Sequence, residues 1–143
     1  MRFFFYGTLM AGSGHRLARR VEERMRRLGP AAARRLLHAI PDPGGWYPAL
    51  VNGEGEVLGD LYEGALTAAD LADFDRYEDY DPSCPEASLY LRREVPVMLP
   101  GGAGGRAQTY LFNQPLPEGS RLIAGGDFRA WLAATGYEPF RPV

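Results

Sequence analysis

Phe3, Phe4, Phe5 and Tyr6 stand in a row near the N-terminus and run straight into Gly7. Successive residues of a strand point to opposite faces. A run apolar at every position and cut by glycine therefore reads as a buried strand, Met1 to Tyr6. The run is too short for the apolar region of a signal peptide. No stretch nears the roughly 18 apolar residues of a membrane span. The single cysteine, Cys84, agrees with a reducing compartment. We expect a cytoplasmic chain without a membrane partner, folded as one domain over residues 1–143.

Downstream, Leu17, Val21, Met25 and Leu28 recur at helical spacing, which predicts an amphipathic helix from His15 to Leu28 closed by Gly29-Pro30. Ala31 to Ile40 reads as a strand, followed by a turn at Pro41 to Gly45. Tyr47–Val51 and Val57–Glu63 read as two strands of a hairpin around Asn52-Gly53-Glu54-Gly55. Thr67 begins a second helix to about Tyr77, with Asp70 at the capping-box position. Asp79 to Ala87 reads as loop. Leu89–Leu99 and Ala107–Asn113 read as strands about a glycine-rich turn, and Phe128–Ala134 as a short helix. Strands dominate, so the expected fold is mixed α+β, built on a mostly antiparallel sheet or barrel with a few flanking helices.

The chemical inventory is sparse. All 16 basic residues are arginine, which excludes Schiff-base and lysine-base catalysis. His15, His38 and Cys84 have no ligand spacing, so no metal site is expected. No nucleophile elbow, phosphate-binding loop or cofactor motif occurs. Half the arginines fall between Arg16 and Arg35. No base-stacking aromatics are interleaved with them, so this basic stretch reads as a solvated face and no nucleic-acid partner is expected.

The strand entering Tyr6-Gly7-Thr8-Leu9 resembles the signature of the γ-glutamylcyclotransferase-like (AIG2-like) family. The same order of segments follows in Leu28-Gly29-Pro30-Ala31, Tyr47-Pro48-Ala49-Leu50 and Val57 to Tyr62. It continues through Leu71 to Glu78, Tyr90 to Val95, Ala107 to Phe112 and Gly126-Asp127-Phe128. The chain departs from the family at Arg34-Arg35 and in its long stretch from Asp79 to Leu89.

The resemblance implies the γ-glutamylcyclotransferase-like fold and an intramolecular reaction. The α-amine of a γ-glutamyl amine or amino acid attacks its own γ-carbonyl, giving 5-oxoproline and a free amine without cofactor. It implies Glu78 as general acid and base. Asp73, Asp75, Asp79 and Asp81 lie nearby, and Glu78 is the one that matches the family glutamate. The implied substrate-binding residues are Tyr6, Gly7, Thr8 and Leu9. Tyr90 and, on the later strand, Tyr110 read as further substrate-binding residues donating hydrogen bonds into the pocket, with simple core packing as the alternative for each. Backbone N–H groups of the loop would grip a carboxylate or oxyanion. Period two places Tyr90, Arg92 and Glu94 on one strand face, with Arg92 pairing to an acidic residue. The expected partner is a small γ-glutamyl substrate, and the expected assembly is a monomer or weak homodimer. A member of the same fold that only binds ligand or regulates is the alternative.

Overall fold

The computed structural model describes residues 1–7, 16–99 and 101–140. The fold is mixed α+β. Strand β1, Arg2–Phe5, is followed by helix α1, Arg16–Arg24, and by strands β2, Met25–Ala33, β3, Leu36–Asp42, β4, Gly45–Val51, and β5, Val57–Gly64. Helix α2, Ala68–Tyr77, a 3₁₀ turn at Pro85–Ala87, and the hairpin β6, Tyr90–Met98, and β7, Gly104–Phe112, come next. Strand β8, Arg121–Leu122, and helix α3, Phe128–Thr135, end the order.

Five strands close into a barrel in the order β1-β5-β2-β6-β7, and β4-β3-β8 form a separate sheet. The aromatic run lies inside this arrangement and alternates between two cores, as period two requires. Phe4 and Tyr6 join Ala31, Leu61, Val95 and Ala107 of the other barrel strands, with Leu37 and Leu50 of the small sheet and Phe128 of α3. Phe3 and Phe5 join Leu17, Val21 and Phe74 of the helices, with Tyr62, Tyr90 and Tyr110. Both faces of β1 are covered from Phe3 onward, which is why every position after Arg2 is apolar.

Local signals failed where pairing was nonlocal. The first helix stops at Arg24, and Met25 to Leu28 are strand, because β2 pairs with β5 from Met25↔Gly64 to Ala33↔Val57. Met25 is buried, so one apolar spacing serves the helix and the strand that follows it. Gly29-Pro30 does not cap a helix; it lies at the register shift between Arg27 and Gly29. The stretch read as one strand, Ala31 to Ile40, is divided at Arg34-Arg35 between barrel and small sheet. The turn expected over Pro41–Gly45 tightens to residues 43–44, with β3 continuing to Asp42. The expected β4–β5 hairpin is absent: β4 pairs with β3, whereas β5 runs between β1 and β2. Asn52-Gly53 turns the chain, but the turn carries it from one sheet to the other.

Helix α2 is as expected. Thr67 Oγ1 accepts from the Asp70 amide at 3.1 Å, and the Asp70 carboxylate accepts from the Thr67 amide at 3.0 Å. This reciprocal cap satisfies two of the helix's orphan donors. Asp70 also takes Arg24 at 3.3 Å, and Arg20 pairs with both Asp70 and Asp73. Two arginines of the basic stretch therefore face an acidic helix. Among the described residues no helix is long and apolar enough to cross a membrane.

Candidate active site

The end of α2 is shaped by hydrogen bonding. The Asp79 N–H donates to Arg76 O at 3.1 Å, and the Tyr80 N–H donates to Asp75 O at 2.8 Å. These bonds close a Schellman turn, a motif that takes a left-handed residue immediately after the cap. Asp79 holds that position with φ of 54°. Glu78 is thereby the last residue before the chain reverses, and it opens onto a cavity of about 200 Å³.

Phe4, Phe5, Tyr6 and Gly7 bring the end of β1 to this cavity, and Tyr47 and Pro48 bring β4. Tyr77, Glu78 and Asp79 enter from α2, Leu89 and Tyr90 from the start of β6, and Thr109 and Tyr110 from β7. Asp42 and Phe140 complete the wall. The C-terminal segment is fixed there because the Phe140 N–H donates to Trp46 O at 2.7 Å and the Trp46 N–H to Glu138 O at 3.0 Å. Gly7 is required sterically: a methyl group added to it would lie 2.7 Å from Pro48 Cγ.

Of the sequence-predicted site residues, Tyr6, Gly7, Glu78, Tyr90 and Tyr110 line this one cavity. Thr8 and Leu9 lie outside the described residues. The neighbouring acids separate by their partners. Asp73 pairs with Arg20 and Arg76, Asp75 with Arg92, and Asp81 accepts from Ser83. Arg92 has the acidic partner expected of it.

The carboxyl of Glu78 is raised to about 8, first by desolvation and second by the negative Asp75. Its residue is half-buried, yet the cavity wall around the carboxyl is largely aromatic, and burial disfavours the charged form. Among the described residues no ion pair reaches Glu78 to oppose that rise.

The three tyrosines spend their protons on the protein. Tyr6 Oη donates to Tyr110 O, Tyr90 Oη to Pro48 O, and Tyr110 Oη to the Asp75 carboxylate at 2.7 Å. Burial raises all three phenols, with Glu78 adding to each. Their hydroxyls therefore fix the cavity wall, and what their oxygens have left to offer a ligand is lone pairs. Sequence reasoning missed Asp42, Tyr47, Pro48, Tyr77 and Phe140 as lining residues. The Tyr47-Pro48 segment was visible, but only its pairing into a second sheet brings it opposite β1. Among the described residues no group of three or more His, Cys, Asp or Glu side chains is arranged to hold a metal ion.

Solved structures of known proteins share this fold. YtfP from Escherichia coli is 27% identical, with 90% of this chain and 96% of that one covered and a TM-score of 0.58. An AIG2-like protein from Mus musculus is 19% identical over 99% and 95% of the two chains, with a TM-score of 0.69. A structure named gamma-glutamyl cyclotransferase is 15% identical over 100% and 90%, with a TM-score of 0.60. Among curated proteins none matches. The model of the family described as gamma-glutamyl cyclotransferase, AIG2-like, matches residues 3–130. Strand β1 from Phe3, the other barrel strands, the α2 terminus and the start of α3 all fall within that match, and the chain belongs to the gamma-glutamyl cyclotransferase, AIG2-like family.

Proposed function

We propose that this protein is a cyclotransferase that converts a γ-glutamyl amine or γ-glutamyl amino acid to 5-oxoproline and a free amine, with Glu78 moving the protons. The observation that carries this reading is the Glu78 carboxyl, desolvated in the cavity and raised to about 8.

An α-ammonium group releases its proton near pH ~8, whereas an ordinary glutamate accepts one near ~4.3. A mismatch of about 3.5 units would cost roughly 5 kcal/mol, and raising Glu78 removes most of it. The ionised carboxylate takes one proton from the α-ammonium, and the freed amine nitrogen attacks the γ-carbonyl carbon. A C–N bond forms and the carbonyl becomes an oxyanion. Glu78 then gives its proton to the departing nitrogen as that C–N bond breaks and the carbonyl re-forms. The added nitrogen loses its second proton to the regenerated carboxylate or water. Amine and acyl group belong to one molecule, so holding the substrate bent is worth roughly 7–11 kcal/mol.

The wall serves this role in the proposed complex. Tyr90, its proton already committed to Pro48, accepts from the substrate ammonium. Tyr6 and Gly7, with Thr8 and Leu9, bind the glutamyl end, and the Tyr110 ring packs beside it. The leaving group extends toward Asp42 and Phe140.

The test is 5-oxoproline release from a panel of γ-glutamyl amines and dipeptides by wild type and Glu78→Gln. Release that falls by about 10²–10⁴-fold in the variant, with substrate still bound, is the expected result. Binding without release by wild type would overturn the reading and leave a ligand-binding module.

A further inference from the structure

Asp75 lies three residues before Glu78 on α2, a spacing that puts two side chains on neighbouring parts of one helix face. It is buried, with 5% of its surface exposed. Its Oδ1 accepts from Arg92 Nε at 2.9 Å and from Tyr110 Oη at 2.7 Å, and its Oδ2 accepts from Arg92 Nη2 at 3.3 Å. Arg92 and Tyr110 are directly opposite each other across the β6–β7 ladder. Three elements thus converge on one carboxylate beside the proton carrier. A helix cap or a lone ion pair would need only one of them.

We propose that the Asp75–Arg92 pair sets the charge state of Glu78: Asp75 supplies a fixed negative charge, and Arg92 limits how much of it Glu78 feels. The proposal rests on Glu78 being the proton carrier. Asp75 and Arg92 are positioning residues, acting through Glu78 without touching substrate.

Charge balance explains why both are needed. Unpaired, a buried carboxylate three residues away would push Glu78 above the working range; without Asp75 only desolvation, the larger cause, would hold the carboxyl up, and it would be a weaker base for an ammonium proton. The other groups around Glu78 do not perform this task. Tyr6, Tyr90 and Tyr110 face it from β1, β6 and β7. Burial keeps these phenols neutral well beyond pH 8. Asp42 and Asp79 share the cavity from β3 and the α2 terminus, and Tyr47 and Tyr77 complete the titratable lining. Tyr80 adds to the field at Arg92.

The two members of the pair have opposite signs of effect, which a purely structural role would not give. The measurement is the carboxyl carbon shift of Glu78, followed by NMR against pH in wild type, Asp75→Asn and Arg92→Gln. The midpoint is expected to fall by about one unit or more in Asp75→Asn and to rise by a similar amount in Arg92→Gln. Arg92→Lys keeps the charge but not the fork, and its rise is expected to be smaller than that of the glutamine variant. It replaces that variant if Arg92→Gln does not fold, and a fall in its midpoint overturns the proposal. Midpoints unchanged in both charge-removing variants, or moved in the same direction, also overturn it. The titration needs no turnover. Opposite shifts in a protein that releases no 5-oxoproline would uphold the electrostatic pairing and sink the catalytic role. Turnover with immobile midpoints would do the reverse.

Discussion

Gly7 and Pro48, from β1's end and from β4, approach so closely that a methyl group on Gly7 would lie 2.7 Å from Pro48 Cγ. Pro48 also accepts the Tyr90 hydroxyl through its carbonyl. One residue of the small sheet therefore holds two parts of the barrel's cavity wall.

Gly7→Ala is accordingly expected to push Pro48 and disturb the wall, at a cost of roughly 1–3 kcal/mol. KM for a γ-glutamyl substrate should rise with it. Pro48→Ala removes the ring carbon that is struck, so the double variant should recover part of the loss. A double-mutant cycle on thermal unfolding and KM checks this. Strict additivity would show that the contact does not matter.

The raised Glu78 carboxyl predicts a falling stability with rising pH. Between 4.5 and about 8 the folded chain keeps a proton that the unfolded chain has lost. Stability falls wherever the native state binds more protons, by ~1.4 kcal/mol per pH unit at most for one group. Glu78→Gln is expected to match wild type near pH 4 and to exceed it at pH 9, by up to about 5 kcal/mol. Denaturant midpoints of the two proteins across that range measure the difference. In the same range, kcat/KM of wild type should rise with pH as Glu78 ionises, peak near 8 and fall again as the substrate ammonium loses its proton.

Asp79 occupies the left-handed position of the α2 Schellman turn at φ of 54°. A left-handed conformation costs a non-glycine residue roughly 1–2 kcal/mol, part of which glycine returns as greater freedom in the unfolded chain. Asp79→Gly should raise stability by about 1 kcal/mol or less and leave Glu78 in place. A thermal melt, with the Glu78 titration as control, tests it.

Thr67→Ala removes one half of the capping box. The expected cost is about 1 kcal/mol, appearing first as faster amide exchange in the first turn of α2. The α2 terminus, secured by its own Schellman bonds, should keep its protection. Equal loss of protection at both ends would mean that the helix moves as one rigid piece.

Much of this protein was legible in its residues. The apolar run Phe3 to Tyr6 specifies a strand covered on both faces, because no solvent-facing position remains in it. Thr67 with Asp70 specifies where α2 begins, since a capping box is satisfied within four residues. The family segments singled out Glu78 and Tyr6-Gly7 as site residues, and the cavity gathers them. Other features depended on partners far along the chain. Met25 to Leu28 fit a helix by spacing but lie in β2, where Met25, Arg26 and Arg27 pair with β5, because closing the barrel satisfies their backbone groups. Tyr47-Pro48 became cavity wall only when β4 paired with β3 and left β5 to the barrel. Four acidic neighbours of Glu78 looked alike until tertiary contacts gave Asp73 and Asp75 their arginines. Local bonding and hydrophobic period determine elements from sequence alone; burial and the field at a carboxyl depend on what the fold brings beside it.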